Sequence, residues 1–134
     1  MQQDFEGHDR HAEEVRIPEL ARKVREILGG KNAIISCISV FGNPIVCEGD
    51  CADSLASLER LIDNAHLFGT DLVTGFTGRI PDRPLEESIP RFKEVFGELA
   101  KRAANKGVRL AFENCNMSGN WNVGEMNIAH NPGH

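Results

Sequence analysis

The sequence predicts an α/β protein made of consecutive parallel βα units. Three observations carry this. Three segments align on one another: EVRIPELARKVREILGGKNAIISCIS, SLASLERLIDNAHLFGTDLVTGFTG and IPRFKEVFGELAKRAANKGVRLAFEN. Each is a helical pattern, then glycine, then a short apolar run. The runs at 32–40, 71–76 and 108–114 are rich in Val, Ile, Leu and Phe and do not alternate cleanly, the mark of strands covered on both faces. With Ile34, Leu72 and Arg109 as comparable positions, the unit recurs at spacings of 38 and then 37 residues. Such regularity implies right-handed crossovers between parallel strands.

Each element has a local justification. In the first unit Leu20, Val24, Ile27 and Leu28 share one helical face, and Gly29 stands where the helix must stop. The second helix carries Leu55, Leu58, Leu61, Ile62 and Ala65 on one face, with Asp53 placed to cap its start and Gly69 to end it. The third presents Ile89, Phe92, Phe96, Leu99 and Ala103. Pro84 fits its first turn, where no N–H partner is needed, and Gly107 closes it. The tail CNMSGNWNVGEMNIAHNPGH has Gly, Asn and Pro throughout and reads as a long loop.

Two architectures suit this pattern: an open doubly wound sheet, or part of an eight-stranded βα barrel, which takes about 250 residues when complete. The chain has 134 residues, one domain's worth. A structureless ending after a buried strand is unusual in a self-contained domain, so a truncated unit is expected. Such a three-stranded piece would leave both sheet edges unpaired and keep Ile34, Ile38, Leu72, Val73, Leu110 and Phe112 partly wet. Self-association, or a complementing segment, is expected to cover them.

Composition narrows the function classes. Fifteen basic against 20 acidic side chains give a formal charge of -5, which offers no basic surface for nucleic acid. No apolar run is long enough to span a bilayer, and the opening MQQDFEGHDRHAEE lacks the apolar segment of a secretory signal. A cytoplasmic protein is expected, with a polar leader over 1–12 and the domain over 13–134. Cys37, Cys47, Cys51 and Cys115 lack the paired spacing of a structural zinc site and read as ordinary small side chains.

Ligands of parallel α/β proteins bind at the carboxyl ends of the strands. Glu113 lies at that end of the third strand, directly after Phe112. A carboxylate there is costly to hold ionised unless it is paired, binds a metal or reaches solvent. It is therefore either a functional group, as metal ligand or acid/base, or a solvated strand end. Asn114 follows on the opposite side of the backbone, suited to anchor a loop or bond a polar ligand. Asn43 and Arg79 stand at the other two strand ends, as turn residue and charge or as ligand contacts. His130, near Asn127 and Asn131, either closes a loop over a ligand or decorates it. His66 reads as an ordinary helix residue, and His8 and His11 belong to the leader. No phosphate-cradling glycine motif is present.

The ordered set ISVFGNP (38–44), TGFTGR (74–79), GVRLAFENCNM (107–117) and NIAHNPG (127–133) resembles successive segments of sugar phosphate isomerases and epimerases, the xylose isomerase-like TIM barrels. The resemblance covers roughly residues 13–134 and implies that the three strands are the third to fifth of a (β/α)8 barrel. It implies a small-molecule sugar or polyol-like substrate and one divalent cation, Mn, Zn, Co or Mg, held by carboxylates and a histidine. Glu113 matches the first of these metal ligands and, in the epimerases, carboxylates at the metal also move a proton next to a carbonyl. Asn43, Asn114 and His130 are the substrate-side candidates. The remaining ligands belong to later strands that this sequence does not contain, so the chain by itself is expected to bind the cation incompletely or not at all. The family also includes endonuclease-like phosphodiesterases and dehydratases, and a non-catalytic scaffold is a further alternative. Where members frequently continue the N-P turn with leucine and histidine, this chain has Ile45 and Val46, so no substrate-side histidine stands at position 46.

Overall fold

The computed structural model describes residues 10–46, 48, 53–116 and 124–131, with side chains in the first helix from Arg16 onward. The expectations for the leader up to residue 9, for Cys47 and Cys51, and for the loop at 117–123 lie outside the described residues. The chain runs α1 (Arg10–Leu28), β1 (Ile38–Val40), α2 (Ser54–Asn64), β2 (Leu72–Gly75), α3 (Leu85–Lys106) and β3 (Arg109–Phe112), with a 3-10 turn at Ala65–Phe68. Helix α1 thus begins inside the expected leader. No described helix is long and apolar enough to cross a membrane.

The helix ends follow local chemistry with three corrections. Gly69 and Gly107 take left-handed conformations at φ 75° and 66° as expected, but after α1 it is Gly30, at φ 76°, rather than Gly29. Asp53 is the residue before α2, yet its side chain makes no capping bond. Its backbone is already helical, at φ -90° and ψ -4°, whereas a capping side chain needs an extended residue to reach back. The second helix is also shorter than its apolar stripe, because the chain tightens into the 3-10 turn that carries the exposed His66.

The strands form one parallel sheet in the order β1-β2-β3. Leu72 pairs with Arg109, as the aligned repeats require, but β1 enters lower: Ile38 pairs with Val73. The expected strand over 32–40 is therefore only Ile38–Val40, and Ile34 is 88% exposed. The reason lies in the partner. Ahead of β2, the Thr70 hydroxyl donates to Ser36 O at 2.9 Å, taking a carbonyl that a longer ladder would have used.

Helices α2 and α3 lie against one face of this sheet. Leu58, Ile62 and Ala65 of the second unit meet Val95, Phe96, Leu99 and Ala103 of α3 over Val73 and Val108, all buried. Phe96 meets Phe112 edge-on, with ring centroids 4.9 Å apart. Burying each large apolar side chain of this set contributes roughly 1.5–3 kcal/mol. Val73, expected to be partly wet, is 1% exposed because both helices cover it; Ile38, Leu72 and Leu110 are half-buried and Phe112 is exposed, as expected.

The other face departs from the expectation of double coverage. Register places Ser39, Thr74 and Ala111 side by side there, and the Ser39 and Thr74 hydroxyls are 2.5 Å apart. No described helix forms a layer over it. Runs of β-branched residues too short to alternate concealed that this face is built of small and polar groups. Helix α1 rests on the 3-10 turn, where Arg25 donates to Leu67 O at 2.9 Å. Ala21 is buried by that contact, but Leu20 and Ile27 of the predicted stripe stand 54% and 63% exposed.

Candidate functional site

The carboxyl ends of all three strands converge on a rim made of residues 41–46, 76–80, 113–116 and 124–131. Parallel pairing explains the convergence, since every strand delivers its following loop to the same end of the sheet. Around this rim the polar side chains are mostly spent on backbone.

Asn43 is fully buried. Its Nδ2 donates to Arg79 O at 2.6 Å, and Arg79 N donates to its Oδ1 at 3.1 Å, so the first strand end is stitched to the second. Gly78 makes this possible: it sits at φ 76°, and a Cβ there would overlap Asn43 Oδ1. The Arg79 guanidinium turns back on the rim, donating through Nη1 to Gly124 O and through Nη2 to Arg83 O at 2.9 Å.

Asn127, also fully buried, joins the second and third strand ends. Its Oδ1 accepts from Thr77 Oγ1 at 2.5 Å and Thr77 N at 3.2 Å. Its Nδ2 faces Cys115 O at 2.8 Å, Glu113 O at 3.2 Å and Ala129 O at 3.3 Å. The Thr77 hydroxyl in turn accepts from Ile128 N and Ala129 N at 3.0 and 3.2 Å.

Glu113 continues the β3 ladder by one step, its N–H donating to Gly75 O at 3.0 Å. By strand alternation it follows Ala111 onto the face that the helices leave open. Glu113 and Asn114 are both exposed. His130 is 1% exposed, with Nδ1 at 3.2 Å from Asn127 O and from Ile128 O, so in the neutral ring the proton resides on Nδ1. Its ring lies against Gly124, where a Cβ would collide with it.

The four predicted site residues thus gather at one rim but differ in kind. Glu113 and Asn114 face outward, whereas Asn43 and His130 are internal. Thr77 and Asn127 carry as much of the rim as any of them. Sequence reasoning placed Asn127 only as a neighbour of His130 and left Thr77 unmarked; polar residues at a strand end in an asparagine-rich tail were the available signal. Among the described residues the carboxylates held below their usual range lie elsewhere: Asp63 through its hydrogen bonds from Arg102, Asp71 through those from Arg109 at the opposite end of the sheet, and Glu19 through its hydrogen bond from Lys23 on α1.

A parallel sheet with helices on one face and a polar rim at its carboxyl ends is the layout of a βα-barrel wall. The xylose isomerase-like TIM barrel family model matches residues 2–130, and the chain belongs to that family. The family includes sugar isomerases and epimerases as well as endonucleases, and its members generally use divalent metals. No curated protein and no solved structure matches the chain significantly.

The described donor set does not by itself make a metal centre. Among the described residues no three His, Cys, Asp or Glu side chains come together to hold an ion. A divalent cation held by protein needs several such donors, and Glu113 offers one.

Proposed function

We propose that this chain forms part of the wall of an isomerase or epimerase acting on a sugar or a sugar-derived keto compound, and that Glu113 is its reactive contribution. The observation that supports this reading is the placement of Glu113: at the carboxyl end of a parallel strand, on the open face, with its backbone held by both the ladder and Asn127. An exposed carboxylate so fixed is suited to accept the proton from a carbon next to a carbonyl, or to serve as one ligand of a divalent cation whose other ligands lie outside the described residues. In the first role the C–H bond breaks toward the carboxylate, its electron pair enters the carbonyl as an enediolate, and the proton returns to the same or the neighbouring carbon.

Asn114, exposed beside Glu113, is proposed to contact substrate hydroxyls. Asn43 and His130 are proposed to shape the substrate side from beneath, because both are buried in the rim. Other wall strands, from a continuing polypeptide or another copy, are proposed to face the Ser39, Thr74 and Ala111 layer, since a closed barrel needs eight. A cytoplasmic setting fits this chemistry.

The test is deuterium exchange into a panel of ketoses and keto acids by the full chain in D2O, with and without added Mn2+, Mg2+, Co2+ or Zn2+, alongside calorimetric cation binding. Exchange that Glu113→Gln abolishes supports the reading. If cation binding is lost with it, Glu113 is a ligand; if binding persists, it is the base. No exchange by the unaltered chain under any condition overturns the reading that Glu113 reacts within this chain or an assembly of its copies, in favour of a non-catalytic scaffold. Cleavage of a phosphodiester instead would align the chain with the endonuclease members.

A further inference from the structure

The geometry assigns to Asn127, acting with Thr77, the role of positioning residue for Glu113; the functional meaning of that role rests on the reading of Glu113 above. Asn127 belongs to the tail, not to the strand that carries Glu113. It is nonetheless fully buried, and its two amide ends address different strands. Swapping the ends is not an option: Oδ1 would then face three carbonyl oxygens and Nδ2 would face the Thr77 N–H. The orientation is therefore dictated by its surroundings.

The consequence falls on the backbone around Glu113. Beyond Phe112 the strand leaves the sheet, with Glu113 N still reaching β2 at Gly75 O. Asn127 Nδ2 then holds the carbonyls on both sides of Asn114, those of Glu113 and Cys115, while Cys115 N donates to Ala129 O at 3.2 Å. Two residues of β3's exit are thus tied to the tail, and the tail is tied through Thr77 to the exit of β2. An exposed glutamate has three rotatable side-chain bonds, so what the fold can fix is where its Cα sits and which way Cβ points. Asn127 supplies that restraint.

The experiment is amide hydrogen exchange on the full chain, read as protection factors at Glu113 and Cys115 against Val73 and Leu110 in the sheet. Asn127→Asp keeps the shape but sets a carboxylate oxygen against the carbonyls. We expect protection at Glu113 and Cys115 to fall roughly tenfold at neutral pH, about what one lost hydrogen bond gives, with Val73 and Leu110 unchanged. Protection should return in acid, where a protonated carboxyl again donates to Cys115 O. Thr77→Val should reproduce the local loss and Thr77→Ser should not, and this pair carries the test if Asn127→Asp does not fold. Unchanged protection at Glu113 and Cys115, or an equal loss at all four positions, overturns the assignment. Glu113→Gln is expected to leave these protection factors alone, so a failure of the catalytic reading and a failure of this one are separable.

Discussion

The amide of Asn43 closes on both backbone polar groups of Arg79, donating to its carbonyl at 2.6 Å and accepting from its N–H at 3.1 Å. A two-point bond of this kind mimics a step of β-ladder where the strands themselves have ended. It carries the sheet's order past Val40 and Gly75 into the loops. Replacing Asn43 with alanine removes the partner of two part-buried backbone groups of Arg79, and a loss of about 1–3 kcal/mol in urea unfolding is expected. Asn43→Asp should be nearly as harmful at neutral pH, because its second oxygen would oppose Arg79 O.

Gly78 and Gly97 should respond in opposite directions to the same substitution. Gly78→Ala imposes a Cβ on a residue at φ 76° and drives it into Asn43 Oδ1, so destabilisation beyond about 1 kcal/mol is expected. Gly97 lies in α3, exposed, with nothing within 4 Å of where its Cβ would sit. Gly97→Ala should stabilise by roughly 0.5–1 kcal/mol. Thermal unfolding of the two variants side by side checks both signs.

Acid should loosen the contact between α2 and α3. Asp63 receives two hydrogen bonds from Arg102, at 3.1 and 2.6 Å, and these hold its carboxyl below the usual carboxylate value. A depressed folded pKa means that the stabilisation is complete above the unfolded pKa, near 4, and is lost as pH falls through the folded value. Asp63→Asn should therefore flatten the acid limb of the stability curve while changing little at low pH. Both partners are partly solvated, so the effect at neutral pH is modest and shrinks with added salt.

The sheet face and edges that no described element covers bear on solution behaviour. Ile34, Phe41 and Phe112 are 88%, 64% and 44% exposed, and β1 and β3 both end the described sheet. Concentration-dependent association of this 134-residue chain is expected in sedimentation velocity, and Ile34→Ser, at a side chain outside the α2–α3 core, should weaken it. A stable monomer at micromolar concentration would contradict the expectation.

Much of the scaffold was legible because its signals are short-range. The stripe Phe96, Leu99 and Ala103 is read from helical spacing, and it is the stripe that α3 buries. Gly69 and Gly107 end their elements where an αL residue was expected. Helix α1 shows the limit. Leu20 and Ile27 have the right spacing for a buried face, but spacing says nothing about whether a neighbour is there to cover it. Ile34 shows another, since a β-branched run becomes strand only for as far as its partner pairs with it.

From sequence alone follow the succession of helix, glycine and strand, the parallel direction of the strands, and the arrival of Glu113 at a carboxyl end. Those properties depend on periodicity and on residues within a few positions of one another. Tertiary structure alone decided that Asn43 serves Arg79 and that Asn127 serves Thr77, Glu113 and Cys115. These partners are up to 50 positions apart along the chain, and a buried amide has no preference among carbonyls until the fold brings particular ones within its reach.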